Sequence, residues 1–281
     1  MNPSIGQWLI QARDSLASGC SESPALDAEV ILACALRKSR AWVLAHRSDE
    51  MEEDVLGRIA PMLARRMQGV PIAYITGFRE FWSMPIKVTP DVLIPRPETE
   101  LLVESALDVL PKGPVSLLDL GTGSGAIALA LARERPDATL LAVDRSKAAL
   151  KIAQANAKAQ GIETIRFLES DWFAAIHSHD FDLVVANPPY VDGDDSALDG
   201  EVRYEPREAL VAADEGLAEI RRIVAESPRF LGSGGWLVVE HGCSHGRQVS
   251  GLFAEAGMDD IAVLQDLAGL DRVTRGRIGI G

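Results

Sequence analysis

Ser116-Leu117-Leu118-Asp119-Leu120-Gly121-Thr122-Gly123-Ser124-Gly125 is the stretch on which the fold turns. Its first five residues read as a buried strand and the next five as a tight loop, and Ala126 to Arg135 then reads as a helix. Three glycines at a strand–helix junction let the backbone turn sharply and let a ligand approach closely. The G-x-G-x-G spacing differs from the dinucleotide G-x-G-x-x-G, and no P-loop lysine follows, so a triphosphate cradle is disfavoured.

The alternation continues downstream. Thr139–Asp144 reads as a strand, Lys147–Gln160 as a helix ended by Gly161, and Thr164–Phe167 and Phe181–Val185 as further strands. A helix over Leu217–Phe230, a strand over Trp236–Glu240, a helix near Gly246–Ala256 and a final strand pair complete it. Upstream, Glu98–Leu110 reads as one more helix. Strands joined by crossover helices predict an α/β, mostly parallel, doubly wound sheet. Residues 73–95 are aromatic or β-branched with turns between, and read as a short hairpin linker that includes Tyr74-Ile75-Thr76. Residues 1–72 carry helical spacing, with Trp8, Leu9, Ala12 and Leu16 on one face and Pro24 at a helix start, and predict a small helical bundle. Arg58, Arg65 and Arg66 recur at helical spacing and read as a solvated face.

Composition bounds the partners. The 281 residues carry a net charge of −13 and a pI near 4.9. Residues 1–80 hold 9 Lys and Arg against 10 Asp and Glu; the remainder holds 19 against 31. The acidity therefore belongs to the α/β part, opposite in sign to a phosphate-backbone binder, so direct nucleic-acid binding is not expected. No apolar run approaches the ~18 residues of a membrane span, and the N-terminus lacks a signal-peptide pattern. Cys20, Cys34 and Cys243 are odd in number and read as buried or inert thiols, which with the rest predicts a cytoplasmic protein. His177 and His179 have no third ligand nearby, so no metal site is expected. Ser124 and Ser244 lack a nucleophile-elbow context.

Two further features carry chemistry. Asp144 ends the strand after the glycine loop, where a carboxylate can accept both hydroxyls of a ribose; the competing reading is a helix-capping aspartate, with Ser146 as an equal capping candidate. Loop and acid together point to an adenosine-containing cofactor without saying which. Asn187-Pro188-Pro189-Tyr190 follows the strand ending near Ala186. Both Asn187 and Pro188 precede a proline and are held extended, so the turn presents acceptors: the Asn187 side-chain oxygen and the Pro188 carbonyl. Such a pair fits an –NH2 group, and Tyr190 adds a flat face for a planar substrate. An amide or aromatic amine nitrogen is a poor nucleophile. Holding its two protons aims the lone pair at a methyl donor, so rate comes from positioning and from stabilising developing positive charge. A plain proline-rich turn is the alternative.

Tyr74–Gly77, Phe81-Trp82, Ile94-Pro95-Arg96-Pro97-Glu98-Thr99-Glu100, Asp119–Gly125, Ser170-Asp171-Trp172, Asn187–Tyr190, Arg203–Pro206 and Glu240-His241-Gly242 together resemble the HemK/PrmC family. Its members methylate the glutamine of the Gly-Gly-Gln motif in peptide-chain release factors. The resemblance runs from about residue 70 to near the C-terminus. Asn-Pro-Pro-Tyr alone is shared with adenine-N6 DNA methyltransferases; the Pro-Arg-Pro-Glu-Thr-Glu segment is more specific. The resemblance implies a Rossmann-like doubly wound S-adenosylmethionine-dependent methyltransferase domain over 96–281, preceded by a small N-terminal helical bundle that docks substrate.

By that resemblance S-adenosyl-L-methionine is held by Gly121, Thr122, Gly123, Ser124, Gly125 and Asp144. Trp172 lies against the adenine, although an ordinary core aromatic is the alternative, and Asn187 also belongs to this group. Asn187, Pro188, Pro189 and Tyr190 hold the substrate glutamine, with Asn187, Pro188 and Tyr190 as the catalytic set. Pro97, Glu98 and Glu100 suit the first turn of a helix, by capping alone or as a cover over the cofactor. A nucleic-acid amino methyltransferase, and a dehydrogenase or nucleotide-binding regulator on the same loop, are the competing functions. The acidic balance speaks against the first, and the paired acceptors of Asn187–Tyr190 against the second.

Overall fold

The structure, a computed structural model, describes residues 2–19, 21–177 and 179–279. Cys20, one of the three thiols, lies outside the described residues; Cys34 and Cys243 are free and exposed rather than buried. The chain forms two units: residues up to Phe78 together with Asp199–Tyr204, and Arg79–Leu198 together with Glu205 onward.

The first unit is helical: α1 (Ile5–Ala17), α2 (Pro24–Leu36), α3 (Arg40–Ala45), α4 (Glu53–Met67) and α5 (Ile72–Thr76). Ser4 and Gln7 close a capping box at the head of α1, and Pro24 occupies the first turn of α2, where its missing N–H costs nothing. Trp8, Leu9 and Leu16 of α1 pack with Ile31 and Leu32 of α2 and Val55 and Ile59 of α4. Two expectations change here. Tyr74-Ile75-Thr76 is helical, not extended: Pro71 precedes α5, and Gly77 ends it at φ 83° with its N–H on the Ala73 carbonyl. Arg66 is not on a solvated face. It is 3% exposed, donates to Asp27 Oδ2 at 2.6 Å and pairs with Glu201, while Arg58 and Arg65 stay exposed. Helical spacing cannot tell a solvated arginine from one whose charge is met by carboxylates from elsewhere in the chain.

The hairpin β1 (Phe78–Phe81) and β2 (Met84–Lys87) leads into the second unit, and its turn residues Trp82 and Ser83 both have positive φ. Then come α6 (Thr99–Val109), β3 (Ser116–Leu120), α7 (Ala126–Glu134), β4 (Thr139–Asp144), α8 (Lys147–Gln160), β5 (Ile165–Glu169), β6 (Phe181–Ala186), α9 (Ala218–Glu226), β7 (Leu231–Glu240), α10 (Gly246–Glu255), β8 (Met258–Gln265) and β9 (Asp271–Ile278). The seven-stranded sheet runs β5-β4-β3-β6-β7-β9-β8, parallel except for β9 against both its neighbours. This is the doubly wound α/β sheet expected. β3 and β6 are almost wholly buried, which explains their continuous apolar sequence.

The chain order reverses beside β3, the position at which open α/β sheets bind ligands. Register sharpens this. Leu120 pairs with Val143 on one side and Ala186 on the other. The next residues, Gly121, Asp144 and Asn187, therefore emerge level with one another at the carboxyl edge. Among the described residues no helix is long and apolar enough to cross a membrane.

Candidate active site

The glycine loop is fixed by the strand before it and by β4 and α8, which follow it in sequence. Thr122 donates its hydroxyl to Asp119 Oδ2 at 2.6 Å and its N–H to the Val143 carbonyl at 2.9 Å. Gly125, at φ 84°, faces α8: a Cβ there would lie 3.1 Å from that of Ala153. Asn156 of α8, 2% exposed, donates to the carbonyls of Ser124 and Lys87 and accepts the Lys87 N–H, tying the loop to β2. Burial pushes the Asp119 carboxyl up to about 7, with the Asp144 charge adding to the effect and the Thr122 hydroxyl opposing it.

Asp144 is not the helix cap. Ser146 caps α8, its Oγ accepting the Ala149 N–H. Asp144 instead takes the Gly123 N–H at 2.9 Å and the Ser146 N–H at 2.8 Å, and burial raises its carboxyl above the ordinary value. A carboxylate has about four lone-pair directions, so two remain for a ligand.

Trp172 is held in a left-handed conformation at φ 49°, and its indole N–H donates to Glu219 Oε2 at 2.6 Å. Its ring lies over Gly121, where a Cβ would come 3.1 Å from Cζ3; the glycine is needed for that approach. Gly121, Gly123, Asp144, Trp172, Asn187 and Pro189 line one cavity. Thr122, Ser124 and Gly125 do not; they shape the loop through the contacts above. A cavity with a flat indole wall and an open carboxylate fits the adenosine part of the expected cofactor.

A smaller cavity adjoins, lined by Asn187, Pro188, Tyr190, Arg96 and Leu93. Asn187 is thus common to both. Its Nδ2 donates to Thr99 Oγ1 at 3.2 Å, which commits the donor end of the amide and frees Oδ1. The Tyr190 hydroxyl donates to Glu240 Oε1 at 3.1 Å, and burial beside that carboxylate keeps the phenol protonated. Gly242 backs the Tyr190 ring, a Cβ there falling 3.6 Å from Cδ2.

The Ile94–Glu100 segment is more than a helix start. α6 begins at Thr99, one residue later than expected, and Glu98 makes no side-chain cap. Arg96 pairs with buried Glu205 at 2.5 Å, Glu205 also takes the Ile94 N–H, and Glu100 takes the Trp82 N–H.

Residues 7–77 match the PrmC N-terminal domain family, and residues 97–203 match the Methyltransferase small domain family. A release factor glutamine methyltransferase of Escherichia coli (strain K12) is 47% identical over 271 residues, spanning 96% of this chain and 97% of that one. The chain belongs to the release factor glutamine methyltransferase family. Its relative of that name in Aliivibrio fischeri (strain ATCC 700601 / ES114) is 45% identical over 99% of this chain and 98% of its own. A methyltransferase from Pyrococcus furiosus shares the fold at TM-score 0.55 and 15% identity, covering 79% of this chain and all of that one.

For this family member the sequence reading left out Asn156, Glu205 and Glu219. Glu205 lies inside a stretch the resemblance already contained. Asn156 and Glu219 sit on helices whose spacing predicts only a face, and nothing in the sequence marks them. Thr99 and Glu240 lie within the family-like segments, but their residue types alone assign them no role.

Proposed function

We propose that the chain transfers the methyl group of S-adenosyl-L-methionine to the side-chain amide nitrogen (N5) of the glutamine in the Gly-Gly-Gln motif of a peptide-chain release factor. The observation that carries this reading is the placement of Asn187: it lines both cavities, and its amide nitrogen donates to Thr99, which leaves Oδ1 as an acceptor. Support also comes from the near full-length likeness to enzymes named for this reaction.

Asp144 would hold the ribose hydroxyls and Trp172 the adenine, with Gly121 and Gly123 letting the backbone come close. Bound there, S-adenosyl-L-methionine supplies an electrophilic methyl group. Asn187 Oδ1 and the Pro188 carbonyl take the two N–H bonds of the glutamine amide, and Tyr190 lies against its plane. The nitrogen lone pair is thereby aimed, and the acceptors meet positive charge as it grows on nitrogen. One amide proton leaves with the charge. No strong base is needed before attack, since an N-alkylated amide nitrogen bearing that charge is very acidic. The helical unit serves as the docking domain, so its contacts with the protein substrate lower KM without touching the cofactor site. The setting is the cytoplasm, without nucleic acid as a substrate.

Incubation with methyl-labelled S-adenosyl-L-methionine, full-length release factor and DNA tests this. Mass spectrometry should place one methyl on the Gly-Gly-Gln glutamine. Label on adenine, or none on the glutamine, overturns it.

A further inference from the structure

Two acids besides Asp144 line the larger cavity around Trp172: Asp171, its neighbour in sequence, and Glu219, in the first turn of α9. The reaction as derived gives neither a contact with the cofactor. Their carboxylates are committed to different extents. Both oxygens of Asp171 accept from Arg222, Oδ1 at 3.1 Å and Oδ2 at 3.0 Å, and the Arg222 Nε is held in turn by Glu226 at 3.1 Å. Asp171 is exposed and turned to that cation. Glu219 is half-buried and spends one oxygen only: Oε2 accepts the Trp172 indole N–H at 2.6 Å, and Oε1 has no hydrogen-bond partner among the described residues.

The indole shows what that open oxygen is placed to meet. Gly121 approaches the ring at Cζ3 and Cη2, on the six-membered side, whereas Glu219 holds it by Nε1, on the five-membered side. The glycine loop and Glu219 thus lie at opposite ends of one flat surface. Asp144, the ribose acceptor, is on the loop side, bonded to the Gly123 N–H. Adenine is a fused two-ring system of about the same length as indole. Laid on Trp172 with its ribose at Asp144, it carries its far edge toward Glu219. That edge bears the exocyclic amino group, a donor, and an ionised carboxylate can only accept.

We propose that Glu219 reads the adenine amino group of S-adenosyl-L-methionine: Oε2 fixes the indole on which the base stacks, and Oε1 accepts an N–H of the base. This rests on the reading of the larger cavity as the S-adenosyl-L-methionine site. One carboxylate then serves both contacts, so the stacking surface and the acceptor are set in register by a single side chain. Asp171, occupied by Arg222, takes no part in reading the base.

The test is calorimetric binding of two ligands to the full-length chain: S-adenosyl-L-homocysteine, which keeps the nucleoside and lacks the methyl, and its 6-deamino purine analogue, which lacks only the amino group. Wild type should bind the first about 10- to 100-fold more tightly, the scale of one hydrogen bond to a charged acceptor. Glu219→Gln has a single side-chain oxygen for two donors and offers an NH2 group in place of the second acceptor, so the preference should shrink to about threefold or less. Glu219→Ala should shrink it likewise. A residue that merely props Trp172 would weaken both ligands together and leave their ratio as in wild type. Asp171→Asn should keep the wild-type ratio. A ratio unchanged in both Glu219 variants, a ratio lost in Asp171→Asn, or a wild type that does not distinguish the two ligands overturns the proposal while leaving the cofactor reading in place. Wild type that binds neither ligand overturns the cofactor reading itself, and this inference with it.

Discussion

The glycine loop and the Asn187 turn lie level with each other at the carboxyl edge of one sheet, yet they are held in different ways. The bonds that fix the loop come from nearby in sequence: Thr122 to Asp119, three residues apart, Gly123 to Asp144, 21 apart, and Asn156 to Ser124, 32 apart. The turn depends on distant ones, Asn187 on Thr99 at a separation of 88 and Tyr190 on Glu240 at 50. The loop shapes backbone and leaves one carboxylate open. The turn orients side chains, and each orientation is set by another element. Changes far from the turn in sequence should therefore reach its chemistry, whereas the loop should answer mainly to changes in β3, β4 and α8, the elements around it in sequence.

The largest effect is expected where another segment packs directly on the turn, in Gly216→Ala. Gly216 has φ 87°, and a Cβ there would overlap the Tyr190 carbonyl oxygen. Neither strain nor overlap can be relieved without moving the turn, so the variant should lose about 3 kcal/mol or more of stability and nearly all methyl transfer. Calorimetry should still detect cofactor binding in whatever folds. A variant with wild-type turnover would break the comparison. Next in size is Asn187→Ala, which removes an acceptor most useful as charge develops. kcat should drop roughly 10²–10³-fold with cofactor affinity little changed, checked by single-turnover kinetics beside calorimetry.

The same contrast explains what could be read beforehand. The loop, Asp144 and the order of strands and helices follow from short-range pattern, because glycine spacing, apolar runs and strand-end acids are local. Leu120 pairing with both Val143 and Ala186 is not local, but a parallel sheet of buried strands leaves little freedom in register. The supports of the turn are another matter. Thr99 looks like a helix-start residue, Glu240 like the polar end of a strand, and Glu219 like one more charge on an amphipathic helix; only the folded chain brings them to Asn187, Tyr190 and Trp172. Arg66 failed to be read for the same reason, since its partners Asp27 and Glu201 lie 39 and 135 residues away.

On the loop side, Asp144→Ala should act on binding alone. It removes the ribose acceptor and the bonds to the Gly123 and Ser146 N–H groups, and should weaken cofactor affinity by about 1–3 kcal/mol, a factor of roughly 5 to 150. At saturating cofactor kcat should recover most of its value. A loss confined to kcat would mean that the loop and the turn are not separable.

The smallest effect expected is in Asp119→Asn, and it is read in stability. The Asp119 carboxyl titrates near 7 in the folded protein against an ordinary value of 3.8. For a group raised in this way the stabilising contribution is complete below the ordinary value and is lost as pH climbs through about 7, because the unfolded chain releases its proton first. Asparagine keeps an acceptor for the Thr122 hydroxyl and has no charge to bury. Relative to wild type it should gain on the order of 1–2 kcal/mol between about pH 5 and about pH 8, measured by denaturant unfolding at each pH. Glu240, also near 7, leaves a residual slope of the same sign, which Glu240→Gln should remove in turn. An identical pH 5-to-8 stability difference in wild type and Asp119→Asn would sink this prediction.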